Sequence, residues 1–459
     1  MDNRFFNMGF TEDKGNVFFN EGLFSKFFLE KYDFKYCDGD FYIYEDNYWN
    51  NIDDLKVKKM CKDCFDNIEE GVWRISYERK YFPTIITDVK KVEVTDLNKY
   101  PFKMNFENGV YNFKTCEFED HDKENYFTYI QNYGIFNSNN ETPYFDMLLS
   151  TLSDGNHELR LYLLRLMAYL ISGIKTEQRF FLLKSSGNSG KSTFINLVIK
   201  LLTQSFVSSI SMGRLEDRFS LGDAVGKKII ISAETEVNEK VTIGTETLKK
   251  LTGGDLVRVE RKYKEPYSAY LKVELLFSTN SDSINFVDIS EGLKRRLTIV
   301  ETAGVVSNPI VDFDDKLGEE IPDIMVKLID AFADIHSNES KIPMCSVVEN
   351  ATEVFKKNLI YTKEKIAKDK EIKIIGEEFY SFFEEHLVYD SEAVTSKNEV
   401  YKSYERNGGK ESTTKFWTRF DKWTAYKKYN VIKTEAPNRV VKGIKIVSDI
   451  KDSDLENLF

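Results

Sequence analysis

The chain has 459 residues, 30% of them charged and 41% hydrophobic, a globular mixture long enough for about three domains. Its 64 Lys and Arg against 75 Asp and Glu leave a formal charge of −11 and a pI near 5.3, which excludes a surface coated with non-specific nucleic-acid affinity and leaves room for a local basic channel. No run reaches transmembrane length and Met1-Asp2-Asn3-Arg4 opens without an apolar leader, so the expected location is cytoplasmic, with no membrane partner.

Residues 1–125 read as an N-terminal α+β domain. Phe41–Trp49 has the pattern of two short strands around a turn, and Asn108-Gly109 joins Met104-Asn105-Phe106 to Val110-Tyr111-Asn112-Phe113. Cys61-Lys62-Asp63-Cys64 has metal-like spacing but no second pair, so ordinary reduced thiols stand beside zinc or redox use. Residues 126–175 read as a helical linker or oligomerisation collar. Asp154 is the expected cap of a helix holding Gly155, Asn156 and His157 in its first turn and closed by Gly173; its apolar run can pack inside one subunit or against another.

Residues 176–345 alternate apolar strands with helices, the rhythm of a parallel-sheet α/β domain. The strand Phe180–Leu183 empties into Gly187-Asn188-Ser189-Gly190-Lys191-Ser192-Thr193. A Gly-rich turn leading into a helix that opens on Lys-Ser-Thr holds a triphosphate through backbone N–H groups. Lys191 is placed for the β/γ-phosphates and Ser192 for Mg²⁺. Ser185 stands where a full P-loop has its first glycine. The strand Lys227–Ser232 leads to Glu234, positioned at a strand's carboxyl end to hold Mg²⁺ through water and orient the attacking water; Glu236 is the second choice. Leu275–Thr279 ends at Asn280, whose amide can hold a water opposite the γ-phosphate. Arg295 and Arg296 enter the strand Leu297–Val300, and one of them is expected to reach a neighbouring subunit's phosphates. Between these lies a hairpin with the tip Arg261-Lys262-Tyr263-Lys264, basic and aromatic, suited to phosphate contacts and base stacking. Residues 346–459 form a polar domain whose helices near 379–383, 399–404 and 414–429 are followed by the strand candidates 430–433 and 439–447, a winged-helix pattern.

With these residues in order, the chain resembles the superfamily 3 AAA+ helicases of the poxvirus and phage primase–helicase branch. The resemblance extends through Asn108–Thr115, Thr252-Gly253-Gly254-Asp255, Glu260–Lys264 and Ser278-Thr279-Asn280, about three quarters of the chain with the C-terminal block included. It implies an AAA+ P-loop core with an N-terminal α+β domain and a C-terminal winged-helix-like, DNA-binding domain. Lys191 and Ser192 match Walker A, Glu234 the Walker B acid, Asn280 the sensor, Lys262 the hairpin-tip lysine and Arg296 the arginine finger, with Arg295 its near neighbour. Tyr263 stands where the papillomavirus helicase has histidine. Ala233, not a second acid, precedes Glu234, and no primase-like carboxylate pair is evident in residues 1–150. The chain is also similar to replication initiators of staphylococcal pathogenicity islands and chromosome cassettes.

The resulting expectation is a homo-hexameric DNA helicase using ATP and Mg²⁺. It would travel 3′-to-5′ on single-stranded DNA, by family precedent, and start replication of a mobile element. Its partners would be forked or origin duplex DNA, a separately encoded primase or polymerase, and host replication proteins. Two other readings compete. One is an origin-binding ATPase that melts or marks DNA and loads a host helicase, with Lys427, Lys428, Lys433, Arg439, Lys442 and Lys445 as its recognition surface. The other is a P-loop scaffold that assembles on nucleotide without turnover.

Overall fold

The computed structural model describes residues 5–6, 8–136, 141–185, 189–232, 243–302, 306, 310–435 and 439–447, the side chains of 360–366 apart. It divides into two compact units, residues 1–357 and 358–459.

The first unit opens with small antiparallel sheets whose turns follow from residue choice. β1 (Phe10–Asp13) pairs with β2 (Asn16–Phe19), and β3 (Phe34–Cys37), β4 (Asp40–Glu45) and β5 (Tyr48–Ile52) form a three-stranded meander. The connecting pairs Lys14-Gly15, Asp38-Gly39 and Asp46-Asn47 all have positive φ, the backbone of two-residue turns that match strand twist. Helices Glu21–Lys31, Asp54–Asp66 and Ile75–Asp88 close over the meander, burying Phe24, Phe28, Phe41 and Phe65 in one aromatic core. A second meander, β6 (Lys103–Phe106), β7 (Gly109–Asn112) and β8 (Glu117–Glu119), contains the Asn108-Gly109 turn.

Helices Pro143–Ser153 and His157–Ser172 follow. Asp154 ends the first of these instead of capping the second: Asp154 and Gly155 are both left-handed (φ +48° and +71°), and the second helix is capped by Asn156, whose side chain accepts from Leu159 N. Gly173 closes that helix at φ +68°. Leu159, Leu163, Leu166, Met167 and Leu170 are buried with residues of the central sheet and of helix Ile321–His336, so its apolar face packs inside the chain's own core.

That sheet is parallel, with order β10 (Val207–Ser209), β11 (Ile229–Ser232), β14 (Glu274–Thr279), β9 (Phe180–Lys184), β15 (Leu297–Glu301). β12 (Leu256–Val259) and β13 (Tyr267–Tyr270) form a separate hairpin. The protein is therefore a mixed α/β fold with a central parallel sheet of the P-loop nucleotide-hydrolase kind, flanked by α/β domains. The β9–β14 and β9–β15 pairings bring the carboxyl ends of all three strands together at Lys184, Thr279 and Glu301.

Helix Ser346–Ile375, unread in the sequence, crosses the unit boundary. The second unit runs helix Glu377–His386, β16 (Leu387–Ser396), helices Lys397–Arg406 and Thr413–Tyr426, then β17 (Ile432–Lys433) and β18 (Val440–Ile446). Its antiparallel sheet has order β16-β18-β17, and Phe383, Tyr404, Phe416, Phe420 and Trp423 fill its core.

One buried cation in the first unit carries a measurable cost. Lys228, at the entry to β11, is 2% exposed; its Nζ donates to Lys103 O at 3.3 Å and lies 4.8 Å from the Phe206 ring. Burial pushes its pKa down to about 7. The unfolded chain therefore holds one more proton between pH ~7 and ~10.4, so this residue's contribution to stability improves as pH rises through that window and is flat below it. Lys228→Met is expected to stabilise the protein by about 1–3 kcal/mol at pH 7.5 in urea denaturation. The advantage should shrink toward pH 10; a constant difference across that range would mean the lysine is not buried neutral.

Candidate nucleotide site and basic hairpin

The carboxyl end of β9 leads through Ser185 to Gly190, which opens helix Lys191–Leu202 at φ +91°. A Cβ on Gly190 would lie 3.3 Å from Leu148 in the left-handed region, so glycine suits this position on both counts. Lys191 is 7% exposed. Its Nζ donates to Asn280 Oδ1 at 2.6 Å, to Ser185 Oγ at 2.5 Å and to Ser185 O at 3.3 Å. Lys191 and Asn280, 89 positions apart, thus meet because β9 and β14 are hydrogen-bonded neighbours.

Ser185 is a partner in this cluster. Its hydroxyl bonds Ser189 Oγ at 2.8 Å, Thr302 Oγ1 donates to Ser189 Oγ at 3.4 Å, and Ser185, Ser189 and Thr302 are all buried. A glycine at 185 would have no hydroxyl for the ammonium. The sequence flagged the departure from the glycine pattern but held no signal for Thr302, which reaches the site only because β15 lies beside β9. Beside the cluster, Lys184 Nζ pairs with Glu301 at 2.6 Å and with Asp282 at 2.8 Å, an acidic rim also unread in the sequence.

Ser192 is exposed and Thr193 half-buried in the first helical turn, where a hydroxyl can meet a cation bound to phosphate. Gly187, Asn188, Glu234 and the second choice Glu236 lie outside the described residues. The ammonium of Lys191, the hydroxyls around it and the N-terminus of its helix are the kind of groups that can bind a polyphosphate.

Arg295 and Arg296 do not join this cluster. Arg296 immediately precedes β15, whose first residue, Leu297, pairs with Phe180 at the start of β9, while Glu301 pairs with Lys184 at the other end. The strand length puts these arginines on the order of 15 Å from the lysine's edge of the sheet. Arg296 Nη1 donates to Gly292 O at 2.7 Å, and burial together with Arg295 pushes its pKa down while Asp255 pulls it back. A Cβ on Gly253 would come within 3.5 Å of Arg296 Nη2 and 3.0 Å of Asp255, so the Gly253-Gly254-Asp255 turn makes room for that guanidinium. Arg295 is exposed, with no ion pair among the described residues.

The hairpin tip divides its basic residues. Lys262 and Tyr263 are exposed at the apex, Tyr263 at φ +62° with 103% exposure. Arg261 Nη2 donates to Tyr267 Oη at 2.9 Å, with the guanidinium 5.6 Å from the Tyr267 ring. Lys264 is ion-paired to Asp38. At the hairpin base Glu260 accepts from Arg218 at 2.7 Å and Arg258 at 2.8 Å.

Cys61 and Cys64 are buried on helix Asp54–Asp66, where burial raises both thiol pKa values, and Lys31 Nζ donates to Cys64 Sγ at 3.7 Å. No group of three or more His, Cys, Asp or Glu arranged for a metal occurs among the described residues. Likewise, among these no helix is long and apolar enough to cross a membrane. In the second unit, Lys427 pairs with Glu384 at 2.9 Å and Glu371 at 3.4 Å, and Lys433 pairs with Asp421. Lys428, Arg439 and Lys442 are exposed and Lys445 half-buried. Thr414, Lys415, Thr418 and Lys422 form an exposed face of helix Thr413–Tyr426, a helical stripe the sequence reading passed over.

The family described as D5 N terminal like matches residues 25–152, and a family of unknown function, DUF5906, matches residues 183–296. The chain is 24% identical over 269 residues to the putative helicase L207/L206 of Acanthamoeba polyphaga mimivirus; the match spans 54% of this chain and 26% of that protein. Among solved structures, the apo structure of the NrS-1 C terminal region (305-718) aligns with a TM-score of 0.51 at 14% identity, covering 95% of this chain and 100% of that one. The A form apo structure of the NrS-1 C terminal region gives 0.48 at 14% identity over 92% and 98% of the two chains. The first of these two likenesses is one of fold, and the DUF5906 match includes Ser185, Lys191 and Asn280.

Proposed function

We propose that this protein is an ATP-dependent DNA helicase of AAA+ type, working as a ring, by resemblance a hexamer, on single-stranded DNA at the start of replication of a mobile element. The observation that carries this reading is the contact of Lys191 Nζ with Asn280 Oδ1 at 2.6 Å. It joins a lysine that can bind β/γ-phosphates to an amide that can hold the attacking water, at the carboxyl edge where parallel sheets bind ligands. The strand order of the sheet, the mimivirus relative named a putative helicase and the D5-like match all support it.

In this reading Lys191, Ser192, Glu234 and Asn280 serve one subunit's ATP and Mg²⁺, and an arginine of the next subunit completes the charge neutralisation. Lys191 and the helix N-terminus bind the polyphosphate, Ser192 and Glu234 hold the cation, and Asn280 orients water. The β12–β13 hairpin then carries hydrolysis to the strand: Lys262 meets a phosphate and Tyr263 stacks on a base. Lys262→Ala is expected to keep basal hydrolysis and to lose roughly tenfold or more of the unwinding rate on a forked duplex, since the apex contact couples the two. DNA-stimulated ATPase and fork unwinding, measured together, test the whole reading. An ATPase indifferent to DNA, with no unwinding, would sink it.

A second reading, an origin-binding ATPase that melts or marks duplex DNA, draws on the C-terminal unit. Its helix–strand–helix–helix–strand–strand order is that of a winged helix, and Thr414, Lys415, Thr418 and Lys422 give one helix a polar, basic face. Protection of origin duplex by the full chain, lost in Lys415→Ala/Lys422→Ala, would favour it.

A further inference from the structure

One contact of the hairpin has no place in the mechanism above. Asp38 and Lys264 are 226 positions apart, yet both carboxylate oxygens of Asp38 accept from Lys264 Nζ. Arg261 Nη1 stands 3.9 Å from the same carboxylate. Asp38 sits at the tip of the β3–β4 hairpin, where φ of +52° at Asp38 and +102° at Gly39 build a two-residue turn that projects the side chain away from its own sheet. The N-terminal meander thus presents a single carboxylate to two of the three cations of the β12–β13 hairpin tip, leaving Lys262 and Tyr263 to solvent.

The side chains of Asp38 and Lys264 are 43% and 48% exposed. An ion pair this wet adds little to stability, and water can follow either partner when the pair opens. A carboxylate taking two hydrogen bonds from an ammonium, with a guanidinium beside it, offers what a nucleic-acid phosphate would offer in the same place.

We propose that Asp38 is a positioning residue for the hairpin's hold on single-stranded DNA: its carboxylate occupies Lys264 and Arg261 in place of a phosphate, so an incoming strand meets Lys262 and Tyr263 first and gains Lys264 only by displacing Asp38. This rests on the reading of the hairpin as a DNA-contacting element. The N-terminal domain thereby sets how many phosphates each hairpin holds, and a strand that displaces Asp38 also releases the hairpin tip from the β3–β4 turn.

The test is the salt dependence of binding to a fluorescent oligo-dT, with the full chain and a non-hydrolysable ATP analogue. Asp38→Asn is the informative variant, because Asn tolerates the left-handed turn and keeps its shape while losing the charge. It should bind roughly three- to tenfold more tightly at low salt, and the slope of log K against log salt should steepen by about 0.7, the value of one added phosphate contact on a single strand. In a Lys264→Ala background the gain should shrink to what Arg261 alone supplies, and in Lys264→Ala/Arg261→Ala the same substitution should change neither affinity nor slope. Wild-type affinity and slope in Asp38→Asn, with Lys262→Ala weakening binding, overturns the proposal and leaves the hairpin reading intact. So does a gain that persists undiminished without Lys264 and Arg261, since that would be general charge removal. No binding by the wild type, or binding indifferent to Lys262→Ala, removes the hairpin reading and this proposal with it.

Discussion

Lys191→Ala is expected to abolish ATP hydrolysis, by a factor of about 10²–10³ or more, and unwinding with it. The size of the effect follows from where the ammonium sits. It is nearly buried at the carboxyl edge of the sheet, so its charge acts on a bound polyphosphate with little screening by water. Its Nζ donates to Ser185 and Asn280; in the proposed reading a phosphate would take over the ammonium and leave the Asn280 amide to orient water. Alanine removes both the phosphate contact and the link to Asn280. Steady-state hydrolysis and ATP-induced thermal stabilisation measure the two losses, with circular dichroism to verify the fold. Hydrolysis near the wild-type rate would show that this lysine faces no phosphate.

What the sequence disclosed divides along physical lines. Features encoded within a few residues were legible: the Phe180–Leu183 strand, the helix opening at Lys191, the turn at Asn108-Gly109, and the helix closing at Gly173. Elements with weak local patterns were not. β10 is three residues, Val207-Ser208-Ser209, too short and polar to stand out. β16 leaves no clear strand signal because its register breaks between Tyr389 and Val394, where Asp390, Ser391 and Glu392 interrupt the alternation. Asp154 has the look of a helix N-cap in the sequence because a helix ends and another begins within three residues there. At the site, residue types were readable but partners were not. Ser185 breaks the glycine pattern in the sequence, and in the fold its hydroxyl accepts from Lys191. Among the C-terminal cations, Lys427 and Lys433 read as a recognition surface, whereas Glu371, Glu384 and Asp421 engage them within their own unit. Such pairings depend on tertiary neighbours and leave no trace in spacing.

The second large effect concerns the arginines. A guanidinium supplied to a phosphoryl-transfer site contributes about 10³–10⁵ in turnover, and neither Arg295 nor Arg296 can supply it to the Lys191 of its own chain, because both stand at the amino end of β15. Arg296 is the closer match to the arginine finger of the helicases the chain resembles, but it is tied to Gly292 O and packed beside Asp255 and Gly253. Arg295, exposed and unpaired among the described residues, is the one free to cross a subunit boundary. Arg295→Ala is therefore expected to bind ATP as the wild type does and to lose hydrolysis by about 10³. Arg296→Ala should lower the melting temperature as well, since it empties the space beside the Gly253 turn. A shared site adds a sharper expectation. Mixing inactive Arg295→Ala with inactive Lys191→Ala protein should restore part of the hydrolysis, because a mixed interface can pair an intact Lys191 with an intact Arg295 from the neighbouring chain. Failure to complement, with both variants assembling normally, would return the arginines to a structural role; normal hydrolysis by Arg295→Ala together with its loss in Arg296→Ala would exchange their parts.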